Sequence, residues 1–296
     1  MKHLFKSALF LISVFVLNSC GDDGVVKPAT TPAATVDPNK GCFLKSSTYD
    51  DDDHIKITYN ASNQVTKLGV ESFFGEIEAN YTYNTDGTVA KISSDEIDYE
   101  FVYDKTVLTK INEKEGGVLF GERIITFTGG KASSIAYYEI EGTKKTLEYT
   151  HKFTYTKGNI SKYILNVGKV DLDYSSDIVY DTKLNPMTKL SKAADAFMYA
   201  LTDNFVLLPT EEILNFSSTN NFVSGKFRPE IFGYIAEVED PALLSIVDLN
   251  KQAPILPFTN TVVYNKDNYP TSGTIKYKDP VDGEITIASK YTYDCK

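Results

Sequence analysis

Side chains able to act as nucleophiles, bases or metal ligands are few in this sequence, and their spacing supports little chemistry. Among 296 residues there are three cysteines and three histidines. Past the leader only His54 and His151 remain, so a histidine-dependent triad must use one of these two. His151 lies in the alternating stretch His151-Lys152-Phe153-Thr154-Tyr155, where it reads as a strand residue and not a base. No Gly-x-Ser-x-Gly elbow, Ser-x-x-Lys pair, His-Glu-x-x-His helix or Gly-Lys-Ser/Thr phosphate loop occurs. The run Asp50-Asp51-Asp52-Asp53 precedes His54, but consecutive residues of an extended chain point in opposite directions. A calcium loop spaces its ligands at alternate positions, and zinc needs more His and Cys than these. The expectation is therefore no catalytic residue, no metal and no dissociable cofactor. Forty acidic residues leave carboxylate pairs in space open, which keeps a glycan-active enzyme as the third reading.

The cysteine with a legible chemistry is Cys20. Lys2, His3 and Lys6 form a positive start, and Leu9 to Leu17 is an apolar stretch too short to span a bilayer comfortably. Leu17-Asn18-Ser19-Cys20 then matches the lipobox of bacterial lipoprotein signals, in which the thiol accepts a diacylglycerol and the signal peptidase cuts before it. Residues 1–19 are read as signal peptide and Cys20 as the acylated anchor, the covalent lipid being the only prosthetic group expected. Gly21-Asp22-Asp23 resembles the surface-export signal of Bacteroidota-type lipoproteins. The Pro-, Thr- and Ala-rich stretch up to residue 41 has no apolar periodicity and reads as a flexible tether. The expected location is the outer membrane, lipid-anchored, facing the cell exterior.

Cys42 and Cys295 bracket the remaining domain, 42–296. In an oxidising compartment they read as a disulfide pinning its ends, with two free thiols as the alternative. The precursor carries a net charge of −10. So acidic a surface repels phosphate backbones, and nucleic-acid binding is not expected.

These residues need elements to hold them, and the pattern for those is a repeat. Aromatic anchors Tyr59, Tyr83, Tyr103, Phe127, Tyr155 and Tyr180 are each followed by Asn, Asp or Thr, then turn residues, then aliphatics with an interposed Lys. Tyr83-Asn84-Thr85-Asp86-Gly87 leading to Val89, Lys91 and Ile92 is one unit. Period-two alternation before each anchor gives one buried and one wet face. Asp-Gly and Gly-Gly steps supply the positive φ of tight turns. Tyr 20, Phe 17 and Trp 0 suit half-buried strands. The fold class expected is mainly β: a curled, barrel-like antiparallel meander of about a dozen strands, since so long a sheet must curl, split or close. From 191 to 258 the repeat gives way to a helical or irregular insertion, expected to plug or cap the sheet. Lys192 to Leu201 is its best helix, Glu211 to Leu214 a further turn, and Pro241 to Val247 another apolar segment.

The tyrosine-plus-acid-or-amide units resemble YD-type repeats. Tyr180-Asp181 with Asn185-Pro186, Ser218-Thr219-Asn220-Asn221, Tyr264-Asn265 with Tyr269-Pro270-Thr271, and the closing Tyr291-Thr292-Tyr293-Asp294-Cys295 are similar to landmarks of a family of Bacteroidota lipoproteins described as a domain of unknown function with a porin-like fold. The resemblance covers most of 42–296 and implies a fold and a location. It carries no catalytic residues. The function expected is a non-catalytic, surface-exposed binding module whose partners are the membrane, through its anchor, and a glycan or protein ligand. The alternative is a periplasm-facing envelope-assembly or lipid-handling factor. Outward Lys, Glu and Asp argue against a membrane pore despite the porin-like description.

Overall fold

The computed structural model describes residues 41–49, 53–72, 75–94, 97–167, 170–190, 192–201, 210–228, 254–280 and 282–295. All belong to the second of the two units into which the chain divides, Pro38–Lys296. The stretch read as a signal peptide, Cys20, Asp22, Asp23, the stretch read as a tether up to residue 40, residues 50–52 of the acidic run and the apolar segment 241–247 lie outside the described residues.

Sixteen strands follow one another around a closed antiparallel barrel. They are β1 Cys42–Tyr49, β2 Asp53–Tyr59, β3 Val65–Ser72, β4 Gly75–Tyr83, β5 Val89–Ser93, β6 Ile97–Asp104, β7 Val107–Glu115 and β8 Val118–Thr128. The second half is β9 Lys131–Glu141, β10 Lys144–Thr156, β11 Asn159–Val167, β12 Val170–Leu184, β13 Asn220–Phe227, β14 Leu256–Tyr264, β15 Pro270–Asp279 and β16 Gly283–Cys295. Every strand pairs with its sequence neighbour, and β1 closes on β16 with Cys42 opposite Cys295. These two cysteines form a disulfide across the seam.

The mainly β, barrel-like antiparallel class agrees with the sequence expectation, and of curling, splitting or closing the sheet takes the last; two details differ. The strand count exceeds a dozen. The 191–258 insertion is not continuous, because β13 enters the barrel within it and pairs with β12 and β14. Two helices, α1 Lys192–Leu201 and α2 Thr210–Ser217, precede β13 there, and β14 begins at its end with Leu256.

Alternation sets the two faces. In β10, His151 and Phe153 are buried while Lys152 and Thr154 are exposed. The inward residues form one core containing Leu44, Leu68, Ile92, Ile111, Ile135 and Ile160, all fully buried. The outward face carries ion pairs between neighbouring strands, Lys91–Asp98 and Lys114–Glu100 at 2.7 Å and Lys162–Asp173 at 2.9 Å, and one that reaches from β10 across β11 to β12, Lys152–Asp171 at 3.0 Å. Half-exposed pairs of this kind add at most about 1 kcal/mol each. Their significance is that the outer wall is charged.

A barrel of this strand number is wide enough to enclose a channel, and here helix fills part of the interior. Ala193, Ala194, Ala196, Phe197, Met198, Tyr199 and Ala200 of α1 are all buried, as in a helix apolar on nearly every side. Phe197 meets Phe216 of α2 at 5.2 Å between ring centroids, and Tyr81 of β4 reaches the Ala193 carbonyl. The plugging role expected of the insertion is met by α1 and α2. They follow β12, so they sit at the rim that carries the turns after β2, β4, β6, β8, β10 and β14.

Candidate functional site

The turn-bearing rim is built by the aromatic repeat, and each unit folds for identifiable reasons. Asn60 clips its turn by accepting from the backbone N–H of Ser62 at 2.9 Å and Gln64 at 3.0 Å. Asn265 does the same for Asp267 and Tyr269, both at 3.0 Å. In Asn84-Thr85-Asp86-Gly87, Asp86 accepts from Thr88 N–H at 2.9 Å and Gly87 takes φ 77°, so this stretch is a hairpin turn. Immediately before the anchors Tyr59, Tyr83, Tyr103, Phe127, Tyr155 and Tyr264, the register slips by one residue. Such bulges bend and twist a sheet, and six along one rim help curl it into closure.

The residue skipped on the return strand is Thr66, Thr109, Ser133, Ser161 or Thr271 in five of these units. Its hydroxyl bonds the carbonyl of the residue before the anchor, at 3.3, 3.1, 3.1, 3.1 and 3.3 Å respectively. Four tyrosine anchors then bond the start of an earlier odd-numbered strand: Tyr59 to the Leu44 carbonyl at 2.7 Å, Tyr83 to Val65 at 2.7 Å, Tyr103 to Val89 at 2.8 Å and Tyr180 to Ile160 at 2.7 Å. Burial pushes the Tyr83 and Tyr103 phenols up to about 12, so they remain donors. Phe127 occupies the same position in β8 and has no hydroxyl. It leans instead on Tyr199 of α1, edge to face at 6.1 Å.

A cleft of about 450 Å³ opens at this interruption. Its walls are Tyr103, Val107, Leu108, Phe127, Ala196 and Tyr199, with Thr106, Lys192 and Asp195 among its polar groups. The volume falls within the range of small-ligand pockets, which are mostly apolar with a few placed polar groups. Asp195 is the charged group set deepest. Burial raises its carboxyl from 3.8 to about 6, with Lys131 opposing the shift, and its charge is felt by the phenols of Tyr155 and Tyr199.

A second polar cluster lies within the barrel. Glu113 of β7 and Arg123 of β8 form an ion pair with side chains 4% and 3% exposed. Arg123 also stands 5.1 Å over the Tyr137 ring, and Gly121 makes room for that tyrosine, since a Cβ there would meet its ring at 2.9 Å. His151 lies further along, its Nδ1 2.7 Å from the Tyr163 hydroxyl. The histidine is thus a buried, hydrogen-bonded strand residue. Sequence pattern alone singles out neither Glu113 nor Arg123; each is one charged residue among many until the register turns it inward.

The landmark residues prove to be structural. Asn159 accepts from the N–H groups of Thr219 and Asn220 at 2.9 Å each, and Ser218 donates to the Tyr180 hydroxyl at 3.0 Å. Asn185 caps the short 3-10 turn Pro186–Lys189 by accepting from Met187 N–H at 2.7 Å. Asp181 bonds Tyr264. Together they tie β11, β12 and β13 where the helices leave and rejoin the wall. Among the described residues, no group of three or more His, Cys, Asp or Glu is placed to hold a metal.

An up-and-down barrel with a charged outer wall, an apolar core and a helical plug is the class these features define. A crystal structure of a porin-like protein from Bacteroides uniformis is similar, with 11% identity over 85% of this chain and 98% of that one, at a TM-score of 0.50. Another porin-like protein, from Bacteroides vulgatus, matches at 10% identity over 86% of this chain and 99% of that one, at a TM-score of 0.42. The first likeness shows a shared fold, which is the porin-like fold that the tyrosine landmarks implied. No family model matches the chain, and no curated protein matches it.

Proposed function

We propose that this chain is a non-catalytic, lipid-anchored envelope protein whose barrel stands outside the bilayer and binds a ligand at its turn-bearing rim. The observation that carries this is the polarity of the wall. Outward ion pairs such as Lys114–Glu100 and Lys162–Asp173 lie on strand faces that a membrane barrel would present to lipid. A charge at the bilayer midplane costs about 2–4 kcal/mol per Lys. The buried α1 blocks the interior on the same side, which argues against conduction.

Attachment then falls to the lipobox. Acylated Cys20 and the tether hold the barrel near the outer membrane, and Asp22-Asp23 directs it to the exterior. The YD-like repeat is the means by which the rim is built, and membership of the lipoprotein family with those landmarks belongs to the same reading. Its experiment is protease and antibody accessibility of the native protein on intact cells against permeabilised controls. Accessibility on intact cells supports the surface module. Accessibility only after permeabilisation overturns it in favour of a periplasm-facing assembly or lipid-handling factor.

A further inference from the structure

The cleft at Phe127 has a chemistry that narrows its ligand. Three aromatic rings, Tyr103, Phe127 and Tyr199, line it together with Leu108. A lysine and a carboxylate, Lys192 and Asp195, belong to the same lining. From these we infer that the cleft is a saccharide subsite, taking a neutral sugar whose apolar face lies on the rings and whose hydroxyls bond Asp195 and Lys192. The inference rests on the binding-module reading above and specifies the ligand of that site.

Other ligand classes fit less well. A free amine would meet Lys192 in the lining and Lys131 near Asp195. An anion would meet Asp195 and a chain of net charge −10. An acyl chain would have to desolvate both charged groups for no hydrogen bond in return. Neutral hydroxyls satisfy a carboxylate and an ammonium together, and C–H-rich sugar faces suit aromatic rings. The site exists because the rim anchor of β8 is a phenylalanine: at four of the other rim anchors a hydroxyl seals the ring against an earlier strand. Phe127 turns to Tyr199 instead and leaves the space above Leu108 open.

The test uses the full-length acylated protein purified in detergent. Saturation-transfer NMR and calorimetry are run with cellobiose, maltose, xylobiose and diacetylchitobiose as neutral probes, and with galacturonic acid, spermidine and laurate as competitors of the other classes. The expected result is saturable binding of at least one neutral disaccharide, weakened tenfold or more by Asp195→Asn and fivefold or more by Phe127→Tyr. Both variants keep the wild-type circular dichroism spectrum, and Phe127→Tyr guards against a loss due to unfolding. Failure of all four neutral probes overturns the inference, as does preferred binding of a competitor or binding indifferent to both variants. These outcomes are separable from the accessibility result, since a surface-exposed barrel that ignores sugars loses only this inference.

Discussion

Ser161 donates its hydroxyl to the Thr154 carbonyl at 3.1 Å, across the bulge that separates Thr154 from its neighbour Tyr155 in the β10–β11 register. The same bond recurs with Thr66, Thr109, Ser133 and Thr271, so a single hydroxyl in each unit partners a carbonyl at the point where the ladder slips. Replacing Ser161 with Ala should lower stability by about 1 kcal/mol, the usual net value of one such bond. Ala90 occupies the skipped position between β4 and β5, so Ala90→Ser there should be neutral or mildly stabilising. Urea midpoints of the two variants against wild type decide the matter. An unchanged midpoint for Ser161→Ala would show that the bulge is held by the anchors alone.

The tyrosine ladder makes a parallel prediction. Tyr83→Phe removes the donor to Val65 while keeping the ring, and should cost about 1 kcal/mol. Because the phenol is half-buried, the loss should be the same at pH 6 and pH 9, below its raised titration near 12. Tyr103→Phe tests the neighbouring rung and should add to the first within about 0.5 kcal/mol if the rungs are independent. Thermal unfolding of the single and double variants measures this.

Much of this is legible before any geometry. The turn residues at Asn84 to Gly87 and at Gly129-Gly130, with period-two alternation around them, locate hairpins because positive φ and side-chain parity are local properties. The helix over Lys192 to Leu201 is legible for the same reason. What the sequence hides is whatever depends on pairing between distant strands. β13 carries no such signal, because Asn220–Phe227 has no aromatic anchor before a turn. Its Gly225 packs so close to β12 that a Cβ there would lie 3.1 Å from the Ile178 Cα, a proximity no local pattern records. The destination of the anchor hydroxyls, the inward turn of Glu113 and Arg123, and the meeting of Phe127, Asp195 and Tyr199 all require the closed register.

The buried pair Glu113–Arg123 should be expensive to halve. Glu113→Gln or Arg123→Met leaves one charge without its partner inside the barrel, a loss of about 3–5 kcal/mol. Replacing both at once, as Glu113→Leu with Arg123→Met, should cost less than either single change, because no lone charge remains. A double-mutant cycle by urea denaturation reads this directly. Single losses below about 1 kcal/mol would mean that water reaches the pair.

The disulfide Cys42–Cys295 closes the seam at which the first strand meets the last. It spans a sequence separation of 253 residues, so in the chain-entropy view its removal should cost up to about 5 kcal/mol. Cys42→Ser with Cys295→Ser should therefore lower the unfolding temperature while leaving the strand content unchanged, because the β1–β16 hydrogen bonds remain. Circular dichroism melts with and without reductant test this, and a melting curve insensitive to reductant would show that the seam is held by its backbone pairing.

Asp195 supplies a pH dependence whose sign runs against that of most carboxylates. Its folded value of about 6 lies above the ordinary 3.8, so the folded protein holds this proton more tightly than the unfolded chain. Stability from this group is highest below about pH 4, falls as pH rises towards 6, and stays low above it. The groups acting on the carboxyl are Lys131 of β9, Tyr155 of β10, and Tyr199 of its own helix, with Lys192 beside it in the cleft lining. Asp195→Asn should flatten the decline and raise stability at pH 7 by on the order of 2 kcal/mol, since a shift of one unit corresponds to about 1.4 kcal/mol. Surface carboxylates such as Asp98, held below the usual range by its bond to Lys91, act in the opposite direction as pH falls. The informative quantity is accordingly the difference between variant and wild type. Urea unfolding at half-unit steps from pH 4 to 8 measures it, and a difference that does not grow between pH 4 and 6 would place the Asp195 carboxyl in contact with water.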